Sequence, residues 1–257
     1  MKMSGVVYCV LCTAFSVNAQ MAAFKKELAR PKALTYYALN HLGDTSSITD
    51  DEIVKETTLK TFTFKDPFLG KITQYDERNP LQQLVFYRGT QQLVLLDNQL
   101  SVKEKMSISE HFPEIYAAYA ALTAQSSIWI FDDASKRWCI ISSNHEQSSY
   151  VSNPIAGYDA IATYGNFAYW QSGNTVFGID VYGKIIKEQL LPDDAKLLAI
   201  NGRYIVYQLN NAVFLFNTEQ QSAEQLREID SMVEKTFFNA QNISFLTSEK
   251  LYLYNIN

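Results

Sequence analysis

The chain is poor in the residue types that carry most catalytic and metal chemistry. It has three histidines (His41, His111, His145) and three cysteines (Cys9, Cys12, Cys139) in 257 residues. No two histidines stand at the His-x-x-x-His spacing that presents two ligands on one helix face, and Cys139 has no second thiol near it in sequence, so a structural zinc site is excluded. Ten glycines form neither Gly-x-Gly-x-x-Gly nor Gly-x-x-x-x-Gly-Lys-Ser/Thr, and without such a loop no backbone cradle for nucleotide phosphate is expected. Gly-x-Ser-x-Gly is missing too. Its nearest approach, Gln171-Ser172-Gly173-Asn174, reads as an ordinary turn rather than a nucleophile elbow. Positive charge is also short. Twenty-two Lys and Arg face 27 Asp and Glu, for a net charge of −5, which disfavours nucleic acid because binding there depends on basic groups displacing counterions. After the first twenty residues no apolar run approaches the roughly 20 residues that a spanning helix needs.

The N-terminus has its own pattern. Lys2 precedes an apolar run from Gly5 to Val17, which ends Val17-Asn18-Ala19-Gln20. A basic start, about a dozen apolar residues and small side chains ahead of the cut describe a secretory signal peptide over residues 1–19. Bulky Val7-Tyr8 and Val10-Leu11 precede Cys9 and Cys12, which speaks against a lipid anchor. Cleavage after Ala19 leaves 238 residues, a net charge of −6 and Cys139 as a lone thiol, so export here implies no disulfide framework.

What the chain has in abundance is aromatic side chains, 16 Tyr, 15 Phe and 3 Trp, set in short strand-like runs. Six runs form a series: Leu34–Tyr37, Leu84–Tyr87, Ile128–Phe131, Phe167–Trp170, Tyr204–Tyr207 and Ile243–Leu246. Their last residues are spaced 50, 44, 39, 37 and 39 apart. Most are followed, across a short turn, by a second apolar run such as Leu93–Asp97, Val176–Asp180, Val213–Asn217 or Leu251–Asn255. Units of about 40 residues built from several short strands indicate a β-propeller. The expectation is therefore an all-β chain over residues 20–257 with six blades, five being the next choice, closed by an N-terminal strand near Met21–Leu28. An irregular β-sandwich is the competing reading.

Two stretches look helical, Ser109–Leu122 and Gln220–Glu234, and both are expected as insertions between strands. Trp129, Trp138 and Trp170 are expected in the core, filling the wedge between blades. His41 and His145 read as solvated turn residues. Asp50-Asp51-Glu52, Asp132-Asp133 and Asp193-Asp194 could offer oxygen ligands to calcium, but adjacent acids in a strand point to opposite faces, and each set reads as a solvated turn. Asn242-Ile243-Ser244 matches a glycosylation acceptor, a weak motif.

One stretch carries a family likeness. Asn79-Pro80-Leu81-Gln82-Gln83-Leu84-Val85-Phe86-Tyr87 followed by Leu93–Leu100, together with Leu69-Gly70-Lys71-Ile72 and Ser127–Asp132, resembles an uncharacterised family of exported, propeller-like proteins from Bacteroidetes. The likeness extends over roughly residues 30–257 and is concentrated in 69–132. It implies a propeller and an envelope location. No activity is attached to the family, so no catalytic residue carries over.

The function these readings favour is a non-enzymatic, exported cell-envelope propeller, in the periplasm or at the outer membrane, that scaffolds other envelope proteins. No cofactor, metal ion or nucleic acid is implied. Tyr116 and Tyr119, in the segment Phe112–Tyr119, are the candidate anchors, since tyrosine offers a rigid amphipathic surface. A carbohydrate or peptidoglycan-fragment binder is the alternative. A calcium-dependent hydrolase or lyase is a third, and it would require acidic or histidine side chains from several blades to converge on the central pore.

Overall fold

The structure, a computed structural model, describes residues 20–40, 43–239 and 241–256. The proposed signal peptide, Cys9, Cys12 and His41 lie outside them. The described residues form six four-stranded antiparallel sheets arranged in a ring, a six-bladed β-propeller. The chain starts with β1 (Ala22–Ala29), then makes blade 1 from β2 (Leu34–Leu39), β3 (Thr45–Thr49), β4 (Glu52–Glu56) and β5 (Thr61–Phe64). Blade 2 is β6 (Gln74–Asp76), β7 (Gln83–Tyr87), β8 (Gln92–Leu96) and β9 (Val102–Ser107). A one-turn helix, α1 (Ile108–His111), leads to blade 3, which is β10 (Ala117–Leu122), β11 (Ile128–Asp132), β12 (Arg137–Ile141) and β13 (Ser148–Tyr150). Blade 4 is β14 (Ala160–Tyr164), β15 (Phe167–Ser172), β16 (Thr175–Asp180) and β17 (Ile185–Leu190). Blade 5 is β18 (Lys196–Ile200), β19 (Tyr204–Leu209), β20 (Ala212–Asn217) and β21 (Ser222–Leu226). Blade 6 takes β22 (Lys235–Asn239), β23 (Asn242–Leu246) and β24 (Lys250–Ile256), and β1 supplies its outer strand, paired antiparallel from Ala22 opposite Ile256 to Ala29 opposite Lys250. The ring is thus closed by hydrogen bonds between β1 and β24, strands more than 200 residues apart in sequence, and blade 6 reaches the same four strands as the others.

In blades 2, 3 and 6 the second strand is covered on both faces by neighbouring blades, which is why it reads as a continuous apolar run. Every residue of β7, β11 and β23 is buried. The outer strands face water and are polar, as in the exposed Val102-Lys103-Glu104-Lys105 of β9. Trp129 and Trp138 are fully buried and meet edge to face at 5.7 Å between blades, where aromatic pairs add stabilisation beyond the area they bury. Trp170 is only half-buried, and its position returns below.

The sequence-based repeat is misregistered in its first unit. Leu34–Tyr37 belongs to the inner strand β2, whereas the partner of the other five runs is the second strand, which in blade 1 is Thr45–Thr49. Only Ile48 in that strand is a large apolar residue, so the run escapes a search for hydrophobicity. The irregular first spacing of 50 arises from this mismatch.

Both expected helices are strands. Ala117–Leu122 pairs with β11, and Ser222–Leu226 pairs with β20, leaving α1 as the helix in the first stretch. Alanine favours helix in isolation, but near the propeller axis its small side chain lets inner strands converge, and ladder pairing overrides a weak local preference. In β21 the helix-favouring Glu224 and Gln225 sit on an outer strand, where polarity reports exposure rather than secondary structure.

Three buried glutamines tie blade to blade. Gln171 of blade 4 donates to the carbonyls of Gly173 (2.7 Å) and Ala195 (2.6 Å) and accepts from the Leu197 N–H (2.6 Å) at the start of blade 5. Gln208 makes the same two-way contact with Ser231 and Val233 entering blade 6, and Gln91 with Ala117 entering blade 3. Each amide matches the donor and acceptor of a strand that has not yet found its ladder partner.

Candidate functional site

Because successive strands are antiparallel, all six inner strands run the same way along the axis. The face on which they begin, here the upper face, also carries the connections between blades. Three surfaces follow from this arrangement: the central channel, the upper-face loops, and a groove between blades 3 and 4.

The channel is a cavity of about 390 Å³ lined by the inner strands of all six blades. Ala38, Ala118, Ala121, Ala162 and Ala199 leave the space open. Among the described residues its acids, Asp76 and Glu77, come from one blade. Asp76 and Arg78 pair in the chelating, two-bond geometry at 2.6 and 2.8 Å, and Asp76 also accepts the Leu122 N–H of blade 3. Arg78 reaches across to blade 4, donating to the Thr163 carbonyl at 2.7 Å and to its hydroxyl at 3.2 Å. Burial pushes the Asp76 carboxyl up, but the Arg78 charge and hydrogen bonds outweigh it and hold it below its ordinary range. Glu77 lacks a cation within salt-bridge distance among the described residues. Burial therefore raises its carboxyl, against the pull of hydrogen bonds from Ser46 and from the Tyr36 hydroxyl at 3.1 Å. Convergence of acids from several blades, as a pore hydrolase or lyase would need, is not what this geometry provides. No group of three or more His, Cys, Asp or Glu placed to hold a metal ion occurs among the described residues.

The two tyrosines singled out from sequence are separated by the fold. Tyr119 lines the channel, its hydroxyl 3.0 Å from that of Thr163 and its ring edge-on to Trp138. Tyr116 lies just ahead of β10 on the upper face and is 49% exposed. Its backbone is pinned, since its N–H donates to Asp132 and its carbonyl accepts from Asp133. Two other upper-face connections also carry exposed apolar side chains, Phe68 (92%) between β5 and β6 and Met232 (54%) between β21 and β22. The Phe68 turn is held by Asp66, which accepts the Phe68 N–H at 3.0 Å and pairs with Lys105 at 2.6 Å. Sequence reading passed over Phe68 and Met232 because single apolar residues in loops look unremarkable until the loops are placed on one face.

Several residues expected in solvated turns are structural. Asp132 is fully buried at the end of β11 and accepts from Tyr116, Ala134, Ser135 and the Tyr150 hydroxyl, so that hydrogen bonds overcome burial and lower its carboxyl. His145 is buried, with Nδ1 2.8 Å from Glu104 of blade 2. Its positive φ of 59° marks the tight turn that places it there. Asp50 and Asp51 do form a two-residue turn, with φ of 51° and 58°, the left-handed pair that a type I′ hairpin requires. Asp193-Asp194 is exposed as expected. Asn242 and Ser244 are buried in β23, so the acceptor motif is closed to glycosylation in the folded chain. Cys139 is a buried free thiol pushed up to about 12 by burial, which leaves it unreactive.

The groove between blades 3 and 4 encloses about 520 Å³. Trp170 and Phe177 form one wall, stacked at 5.4 Å with their rings 19° from parallel. The segment 151–157 that follows β13 forms the other, with Val151 and Ile155 packed in the same core cluster as Trp170. The lower end is shut where Gly183 (φ +81°) meets blade 3, since a Cβ there would fall 2.0 Å from the Val151 carbonyl oxygen. Only glycine allows that approach.

No family model and no curated protein matches the chain. Solved structures do resemble it. Virginiamycin B lyase from Staphylococcus aureus aligns with a TM-score of 0.62 at 12% identity, covering 91% of this chain and 100% of that one. A luciferin-regenerating enzyme aligns with a TM-score of 0.55 at 9% identity over 89% of this chain and 92% of that one. PorZ, a surface component of the type-IX secretion system of Porphyromonas gingivalis, aligns with a TM-score of 0.51 at 9% identity over 91% of this chain and 38% of that one. At these identities the likeness establishes the propeller and nothing narrower. No helix among the described residues is long and apolar enough to cross a membrane.

Proposed function

We propose that this chain is an exported, non-catalytic cell-envelope propeller whose upper face docks another envelope protein. The observation that carries the reading is the presence of Phe68, Tyr116 and Met232 on three inter-blade loops of one face, with the Phe68 and Tyr116 loops braced by buried or ion-paired aspartates. Rigid aromatic anchors on braced backbone give up little conformational entropy on binding. Tyr116 belongs to that face, whereas Tyr119 serves the channel wall. The channel carboxylate Asp76 has its oxygens committed to Arg78 and Leu122, which supports a structural rather than chemical role for the pore. Export rests on the pattern of residues 1–19, and PorZ is a case of this fold in a bacterial surface component.

Crosslinked affinity purification of tagged protein from its native envelope tests the reading. The wild type should bring down a stoichiometric partner that the Phe68→Ala/Tyr116→Ala/Met232→Ala variant loses. A wild type that comes down alone, or a partner retained by the triple variant, would overturn it.

A further inference from the structure

We infer that the upper end of the channel binds a small organic acid, its carboxylate seated between Lys235 and Lys71 and its apolar flank on Ala118, Ile161 and Leu198. The site binds without reaction, and it does not depend on the docking proposed for the loops around it.

A crossbar divides the channel. Inner strands start on the upper face, so residues late in them stand toward the lower end. Arg78 follows β6 and Thr163 is near the end of β14, so the bonds between them cross from blade 2 to blade 4 low in the channel. The space above the bar is bounded by residues early in the inner strands. Blades 3, 4 and 5 supply Ala118, Ile161 and Leu198 on one side, and blades 6, 1 and 2 supply Lys235, Thr35 and Thr73 on the other. A concave space with an apolar wall and a few placed polar groups is the usual form of a small-molecule site.

Charge selects the ligand. The chain carries a net charge of −5, yet this side of the mouth is cationic. In β22, Lys235 stands opposite Leu246 and on the same side as Phe237, which packs toward Leu34 and Tyr36 of blade 1. That orientation aims Lys235 at the connections into blades 1 and 2, which carry Arg30 and Lys71. Neighbouring acids are engaged, since Glu234 pairs with Arg30 and Asp51 accepts the Ile72 N–H at 2.9 Å. Lys235 and Lys71 make no ion pair or side-chain hydrogen bond among the described residues. Partial burial and the charges of Lys71 and Arg30 hold the Lys235 ammonium below its ordinary range, against the pull of Glu234. A carboxylate at this place relieves that repulsion. A mouth of one sign between low-dielectric walls also concentrates anions from solution.

The channel's own acids do not oppose such a ligand. Asp76 is neutralised by Arg78. Glu77 follows β6 at the lower end, where it takes the Tyr36 hydroxyl and faces Ser46 of blade 1. An inorganic anion would leave Ala118, Ile161 and Leu198 uncovered, and a neutral molecule would leave the two lysines unpaired.

The test is calorimetric titration of the intact protein with cyclohexanecarboxylate, with the neutral cyclohexanecarboxamide and inorganic phosphate run alongside. The expected result is saturable binding of the acid and about tenfold weaker binding of the amide, the worth of one charge-assisted contact. Phosphate should also bind more weakly than the acid. Lys71→Met/Lys235→Met, at exposed positions, should abolish the preference for acid over amide, and Lys235→Arg should retain most of it. Ile161→Thr should weaken the acid and leave phosphate unchanged, with circular dichroism confirming the fold of each variant. Absence of saturation, equal binding of acid and amide, or acid binding unchanged in the double lysine variant would overturn the assignment. Phosphate binding as tight as that of the acid would do so as well, since the apolar wall would then play no part. So would an envelope protein lost from the double lysine variant when the acid does not bind, which would make the mouth part of the docking face. The Phe68→Ala/Tyr116→Ala/Met232→Ala variant should bind the acid as the wild type does, so the two proposals fail separately.

Discussion

Replacing Gln171 with leucine tests whether the glutamine clamps hold the ring together. Gln171 is 2% exposed, and the groups it serves at the start of blade 5 are buried as well. Leucine fills nearly the same volume, so packing is kept while three hydrogen bonds disappear. The Leu197 N–H and the Ala195 carbonyl then have no partner, and each buried unsatisfied group costs about 1–3 kcal/mol. Gly173 lies in an exposed turn where water can replace the lost bond. The expected destabilisation is therefore about 2–6 kcal/mol, or about 3 kcal/mol after partial relaxation. For a chain of this size that corresponds to a fall in Tm of roughly 6–12 °C. Urea unfolding followed by far-UV circular dichroism, with Gln147→Leu as an exposed control, measures it. Gln171→Glu adds a second reading. At neutral pH its carboxylate faces the Ala195 carbonyl and should destabilise more than leucine does, with partial recovery below about pH 4, where carboxyl groups take up a proton. A Gln171→Leu variant within about 0.5 kcal/mol of the control, the usual span of exposed substitutions, would show that the clamps contribute geometry without stability.

Two further outcomes concern the channel. Asp76→Ala leaves Arg78 in the channel without its counter-ion, at an expected cost of about 3 kcal/mol. Because the folded Asp76 carboxyl lies below its unfolded value, the stability it provides is present above about pH 4 and lost as pH falls through the folded value, so wild type and variant should converge in acid. Convergence at neutral pH instead would refute the ion-pair account. Glu77 has the opposite sign. Its raised carboxyl favours the protonated form in the folded chain, so its ionisation lowers stability as pH rises from about 4.3 through the folded value. Glu77→Gln keeps an acceptor for the Tyr36 hydroxyl and removes the charge. It should raise Tm at pH 7 and lose that advantage below about pH 4, as seen in thermal scans across pH. A pH-independent difference would mean that packing, not charge, sets the effect.

The propeller, its six blades and its N-terminal closing strand can be read from the amino-acid order alone, because strands buried on both faces must be apolar throughout. Leu84–Tyr87, Ile128–Phe131 and Ile243–Leu246 announce themselves for that reason. Inner and outer strands do not. Ala117–Leu122 and Ser222–Leu226 carry helix-favouring residues, and only pairing with β11 and β20 makes them strands. Thr45–Thr49 is nearly devoid of large apolar side chains and becomes a second strand only through its register with Leu34–Leu39 and Glu52–Glu56. The same division holds for the surfaces. Composition and motif spacing show which local motifs the sequence does not contain, since a motif is made of residues close in sequence. Which side chains share a face depends on contacts between residues far apart. Phe68 joins Tyr116 and Met232, Tyr119 turns into the channel, and Asp132 and His145 are buried. Distances along the chain carry no information about those meetings, and the closing of the ring decides all of them.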